Sequence, residues 1–429
     1  MLWVLFLSFI GLCLIRVPIA FAMFISSTLA IVFEGKVPLT IVVQRIWVGL
    51  NNFPLLAVPF FMVVGQLMNE TGISRRLLDF SDSLVGHFRG GLAHVNVVVS
   101  MIFAGISGVS SADTSGIGSV LIPAQLKAGY PAGFTVGITA ASSTLGNIIP
   151  PSLMMIIYGA TAGLSVGGLF LTGIVPGILI GILQIMYSFF IAYKLGIGGD
   201  HKFSFRRLWK NLKMAVLALF IPIVVIGGIV MGVFTATEAS CITVLYALIL
   251  AFIYREANIK QIYGVFKTSL GLFSLSLFCV AAASLWGWVL AYYNIPEMAV
   301  AYLNSAGMLA SKTLVFLTVI FIFLVVGTFM DAIPAIIILQ PIIGSIAAGA
   351  GINPYHMGIV VVLTLAIGLI TPPYGLCLLI AADLAKLPIV KATRAMIPFY
   401  IISLIVVFIA VYFPDLVLWI PRIAMPEFM

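Results

Sequence analysis

The sequence predicts an all-helical polytopic membrane protein made of two related halves, and three observations carry that prediction. Hydrophobic residues make up 62% of the 429 and charged residues only 8%, whereas soluble domains carry about 25% charged residues. Mean hydropathy is +1.24, which leaves too little polar surface to coat a water-soluble globule. Two stretches 222 or 223 residues apart share one pattern of glycine, proline and polar residues. This composition excludes a soluble enzyme, a disordered chain and a nucleic-acid reader. The net charge of +8 does not restore the last, because the basic residues sit between apolar spans.

The spans follow in order. The chain is apolar from Leu2 onward with no basic leader, so its start reads as a retained span and not as a cleaved signal peptide. Apolar segments run over 2–33, 50–68, 92–128, 131–163, 167–193, 214–232, 236–254, 268–292, 313–349, 354–384 and 395–413. A simple span needs about 20 residues. The segments 92–128 and 313–349 exceed that and carry Gly, Ser or Pro near the middle. Each is either two full spans or a re-entrant hairpin of two half-helices. Arg75, Arg76, Asp79 and His87 lie in a polar amphipathic stretch that reads as an interfacial helix. Cys13, Cys241, Cys279 and Cys377 sit inside apolar runs without CxxC spacing, and the four His are scattered. Neither a disulfide framework nor a zinc site is indicated.

Charge orients the spans. The segment 194–213 holds Lys194, Lys202, Arg206, Arg207, Lys210 and Lys213 against Asp200 alone, which marks it as cytoplasmic. Counting crossings forward makes 255–267, with Arg255, Lys260 and Lys267, cytoplasmic and 293–312 external. Counting backward starts and ends 92–128 on the inside. The two long segments therefore face opposite sides.

Those two regions also resemble each other. The first reads GISGVSSADTSG, then a segment from Pro131 through Pro150–Pro151; the second reads GTFMDAIPAI, then a segment from Pro354 through Pro372–Pro373. Gly105 pairs with Gly327 at the same offset as the two Pro-Pro pairs. Both copies run Gly-rich turn, apolar arm, Pro-led helix, Pro-Pro break, apolar helix. Opposite flanks make this an inverted-topology repeat: 1–193 forms the first copy, 194–235 a basic linker with one extra span, and 236–429 the second. Proline removes a backbone donor and disfavours helix at the residue before it, so two in a row unwind a helix at mid-membrane. Freed carbonyls there are tolerated only where they line a polar cavity, as in the cation and anion sites of many secondary transporters.

At GISGVSSADTSGIGSVLIP, NIIPPS, GTFMDAIPA and TPPYG the chain resembles the large membrane (M) subunit of tripartite ATP-independent periplasmic (TRAP) transporters, and the resemblance extends over essentially its whole length. It implies an elevator-type fold like that of the ion-transporter superfamily, with hairpins 92–128 and 313–349 and broken helices 131–163 and 354–384. It implies sodium-driven import of an organic acid across the bacterial inner membrane, the cargo being a C4-dicarboxylate, a sialic acid or a similar carboxylate. It also implies two partners: a soluble periplasmic binding (P) protein and a small four-helix membrane (Q) subunit, here expected as a separate polypeptide.

Candidate site residues follow. Asp331 stands in an otherwise uncharged run of more than 60 residues. An intramembrane carboxylate costs roughly 2.5–3.5 kcal/mol on insertion scales and is expected to pair or to function. It is read as a substrate or sodium-site residue; the competing reading is a cap of the half-helix at Ala332. Asp113, followed by Thr114 and Ser115, reads as a cap. A first sodium site is expected from Ser107, Gly108 and Ser110 at the polar hairpin tip with Gly146, Asn147 and Pro150. The second would join Gly327, Thr328 and Met330 to Gly368, Thr371 and Pro372. Most ligands would be backbone oxygens. Ser110 and Ser152 are the expected substrate contacts beside Asp331. Gly105-Ile106-Ser107-Gly108 also fits the GxSG motif of intramembrane rhomboid proteases, which would need His94 or His356 as base. A channel would need charged pore rings, which are missing from the sequence.

Overall fold

The computed structural model describes residues 2–199, 201–254 and 258–428. Asp200 and Arg255, which entered the charge count, lie outside the described residues. Among these residues the fold is entirely helical, and eight helices are long and apolar enough to cross a membrane.

The first apolar segment is not one span but two helices, α1 (Leu2–Leu14) and α2 (Ile19–Glu34). They part at Arg16, which has φ +66, and Pro18, whose fixed ring and missing N–H stop a continuous helix. Next come α3 (Thr40–Leu50), α4 (Ala57–Glu70, led by a 3-10 turn at Phe53–Leu56) and the amphipathic α5 (Ile73–Val85). Asp82 on α5 holds both Arg207 and His201, the latter at 3.2 Å, so part of the basic linker is docked against α5.

The segment 92–128 resolves into α6 (Gly91–Ser107) and α7 (Ser110–Lys127). Gly108, at φ +65, takes the left-handed turn between them. The broken helix is α8 (Ala132–Ser143), a 3-10 turn at Thr144–Asn147, and α9 (Leu153–Ala162); α10 (Val166–Leu195) follows. Two boundaries differ from the sequence reading. Helix α11 (Phe205–Val230) starts nine residues before 214, capped by the Ser204 hydroxyl accepting from Arg207 N–H at 3.4 Å. After α12 (Ala236–Tyr254), α13 (Ile259–Tyr292) starts within the expected loop 255–267, fixed by a capping box between Asn258 and Gln261. Basic residues are good helix formers, so hydropathy marks where the chain enters lipid and not where the helix begins.

After α14 (Ile295–Ser305) the second half repeats the element order of the first: arms α15 (Lys312–Phe329) and α16 (Ala332–Gly349), broken helix α17 (Pro354–Gly368) and α18 (Leu376–Leu384), long helix α19 (Ile389–Tyr412). The chain continues into α20 (Pro414–Ala424). The halves interlock. Helix α18 packs on α7 and α8, α9 packs on α16, and α17 packs on α10. Helix α13 packs against α2, α3 and α4, and also reaches α16. Phe61, Phe103, Phe170, Phe323 and Phe399 are fully buried. Exposed Trp3, Leu14, Val43 and Phe321 give the outer surface the apolar character a bilayer requires.

Candidate functional site

Each hairpin tip is tied by one backbone hydrogen bond to the residues just past a proline break. Leu153 N–H donates to the Gly108 carbonyl at 3.3 Å, and Tyr374 N–H donates to the Thr328 carbonyl at 2.8 Å. The Pro150–Pro151 and Pro372–Pro373 peptide bonds are both cis. Glycine permits the close approach at each point. A Cβ on Gly146 would lie 2.7 Å from Asp113 Oδ2 and 3.1 Å from Ser110 N. One on Gly368 would lie 2.8 Å from the Gly327 carbonyl oxygen. The expected pairings of Ser110 with Gly146 and of Gly327 with Gly368 are therefore present. Gly368→Ala should push tip from break and lower stability by about 1–3 kcal/mol, the usual cost of overpacking. Gly287→Ala, whose Cβ would meet only Pro341 at 3.7 Å, should leave the thermal unfolding midpoint in detergent unchanged.

The two tips and two breaks enclose a cavity of about 80 Å³. Val109, Ser110 and Ser111 line it from the first tip, and Asn147, Leu153 and Met154 from the first break. Asp331, Ala332 and Ile333 line it from the second tip, and Leu369, Leu376 and Cys377 from the second break. Among the described residues, no Lys, Arg or His lines it. Asp331 is both a lining residue and a cap: its Oδ1 accepts from Ala332 N–H at 2.8 Å. The Ser110 hydroxyl is buried without a protein hydrogen bond. Ser152 lies outside the lining. It caps α9, donating to the Asn147 carbonyl at 2.6 Å and accepting from Met155 N–H at 3.3 Å.

The Thr328 and Thr371 hydroxyls bond their own helices, at Val325 O and Ile367 O, each at 2.7 Å. Met330 ends α15 in an extended conformation, and Pro372 is half-buried. The second tip and break thus offer chiefly backbone oxygens.

Asp113 departs from its expected role. Val109, not Asp113, occupies the cap of α7. Asp113 is fully buried; its Oδ1 accepts from the Ser107 hydroxyl at 2.6 Å, and its Oδ2 has no protein hydrogen bond. A carboxyl group thus lies directly behind the first tip, beside Gly146. The sequence carried a trace of this in the density of polar residues around GISGVSSADTSG. It carried none for Cys377, an apolar-looking residue in an apolar helix. A buried network also joins the first arm to the broken helix: Asn96 donates to Thr139 Oγ1 at 2.7 Å, and Ser100 to Ser142 Oγ at 3.1 Å.

The protease arrangement is not formed. Ser107 bonds Asp113, while His94 Nε2 lies 2.8 Å from Arg89 O and His356 Nε2 lies 2.7 Å from Ala410 O. Neither histidine is bonded to Ser107, so the serine–histidine pair that the motif requires is missing.

The family model described as "Tripartite ATP-independent periplasmic transporter, DctM component" matches residues 6–416. The chain belongs to this family. Among its relatives, the sialic acid TRAP transporter large permease protein SiaM of Vibrio cholerae is 34% identical, with 97% of each chain covered. The C4-dicarboxylate TRAP transporter large permease protein DctM of Pseudomonas aeruginosa is 36% identical, with 87% of each chain covered. The structure of MtrF from Neisseria gonorrhoeae shares the fold at a TM-score of 0.59 and 13% identity, covering 89% of this chain and 83% of that one. The DctM-family chain is accordingly a multi-pass membrane transporter subunit and not an enzyme.

Proposed function

We propose that this DctM-family subunit imports an organic acid across the bacterial inner membrane by coupling its movement to sodium. The observation that carries the reading is the cavity shared by both tips and both breaks, which among the described residues is lined by one acid, Asp331, and no basic side chain. A carboxylate cannot be drawn there by protein cations, so positive charge must travel with it. Hydroxyl and carbonyl oxygens suit sodium, a hard cation. We assign one ion to Ser107, Gly108, Ser110, Gly146, Asn147 and Pro150, with the Asp113 carboxyl behind it. We assign a second to Gly327, Thr328, Met330, Gly368, Thr371 and Pro372. Asp331 would orient hydroxyl or amine groups of the acid, with Ser110 beside it; Ser152 would act through the carbonyl of Asn147.

The fold supports a moving-site mechanism. Tips that reach the middle of the broken helices behave as re-entrant hairpins, and 1–193 and 236–429 then form inverted copies joined through 194–235. The packing of α9 on α16 and of α18 on α7 and α8 would let both copies move as one body against the outer helices. The cavity of about 80 Å³ is smaller than the roughly 300 Å³ at which ligand pockets begin, so the hairpin tips must part to admit an acid. The cargo is a sialic acid, a C4-dicarboxylate or a similar carboxylate, handed over by a periplasmic binding protein, and a separate small four-helix membrane subunit completes the scaffold. Uptake should therefore require all three components in vesicles. Robust delivery-dependent uptake by this chain alone would contradict the tripartite assignment.

A further inference from the structure

Helix α11 is longer than a bilayer crossing needs. Its 26 residues rise about 39 Å, whereas the hydrocarbon core of a bilayer is about 30 Å thick. The surplus, about two turns, lies at the first end. Residues 214–230 carry no charge, while 205–213 hold Arg206, Arg207, Lys210 and Lys213. That end therefore stands in the headgroup layer, on the side the basic residues mark as cytoplasmic.

These first turns present three sectors around the helix. Arg207 and Asn211 share the sector docked on α5: Arg207 holds the Asp82 carboxylate, and Asn211 Nδ2 donates to the Asp79 carbonyl at 2.9 Å. Arg206, Lys210 and Lys213 share the next sector, at i, i+4 and i+7. Phe205 and Trp209 make the third, with their rings stacked at 6.4 Å between centroids. The Lys213 ammonium lies 5.6 Å from the Trp209 ring centroid and ties the last two sectors together. All five side chains of these two sectors are exposed. Among the described residues, no carboxylate pairs with Arg206, Lys210 or Lys213. The acids of α5 stand on the docked side and do not neutralise them.

Three cations without counter-charge, beside aromatic rings at headgroup depth, fit one ligand chemistry. Aromatic rings suit the boundary between headgroups and chains, and bases at a membrane surface attract anionic lipid. A zwitterionic headgroup carries its own cation and would leave the cluster uncompensated. We propose that the cytoplasmic end of α11 is a binding site for anionic phospholipid. Arg206, Lys210 and Lys213 hold the headgroup, and Phe205 and Trp209 lie against the top of its chains. The docked sector stays free of the lipid, so binding leaves the hold of Arg207 on Asp82 in place.

The test uses the full-length chain in vesicles and reads the part of the tryptophan fluorescence that Trp209→Phe removes. Phosphatidylglycerol brominated high on its chains, diluted into phosphatidylcholine, should quench that fluorescence at a lower mole fraction than brominated phosphatidylcholine diluted into phosphatidylglycerol. Arg206→Gln and Lys210→Gln should each lower this preference by up to about fivefold, and 1 M salt should lower it in the wild-type protein. Lys312→Gln, at the start of α15 on the opposite face, should leave it unchanged. The substituted side chains are exposed, so unfolding midpoints in neutral detergent should match the wild type and separate lost lipid binding from misfolding. Equal quenching by the two lipids would mean a general bilayer contact and would overturn the site. So would a preference that survives in the double variant Arg206→Gln/Lys210→Gln, or quenching by neither lipid, the result if a protein partner covers this face.

Discussion

Asp331→Ala should reduce uptake by the reconstituted transporter about 100-fold, the scale of losing a charged contact in a buried site, while expression and membrane insertion stay near wild type. The residue has two possible roles, because the same carboxylate caps α16 through Ala332 N–H and faces the cavity. Asp331→Asn separates them. Asparagine is as good a helix cap as aspartate, so this variant should match the wild type in thermal unfolding. It lacks the charge, so its uptake should stay low. Wild-type uptake by Asp331→Asn would reduce the residue to a cap and remove it from the transport site.

The second large effect concerns the breaks. Pro150→Ala and Pro372→Ala each restore a backbone donor and relax the preceding residue toward helix. Helix regrown across the gap would consume the carbonyls assigned to sodium. It would also move Leu153 or Tyr374 away from the hairpin tip each now bonds. The half-saturating sodium concentration should rise by about tenfold or more in each variant, the equivalent of roughly 1.4 kcal/mol of lost ion binding. Unchanged sodium activation in both would detach the breaks from ion binding.

What the sequence revealed is what local chemistry writes into it. Pro-Pro pairs cannot sit inside a helix, and Gly108 and Gly146 are required where backbone turns left-handed or approaches closely, so tips and breaks could be found and paired across the repeat. The arms could not be distinguished from full spans, because α15 and α16 are each long and apolar enough to cross. Pro18 was visible in the sequence, yet unbroken hydropathy masked the division it makes between α1 and α2. Asp113 was misread because its partner, Ser107, lies six residues back, across a turn that only Gly108 permits. The far wall of the site was illegible for a different reason. Leu369, at the end of α17, and Leu376 and Cys377, on α18, carry no mark of function, and the last two face the first tip because α18 packs across onto α7 and α8 of the other half. Tertiary contact between distant apolar helices leaves no periodicity to read.

The central claim is that sodium supplies the positive charge the cavity lacks. If two sodium ions enter with a monoanion, the membrane potential assists by about 2.3 kcal/mol per net charge per 100 mV. The decisive measurement is initial uptake by vesicles containing all three components as external sodium is varied at constant ionic strength. Uptake should rise steeply with sodium, with a Hill coefficient above one, increase when the interior is made negative, and vanish when choline replaces sodium. Uptake in sodium-free buffer driven by a pH gradient alone would contradict the account.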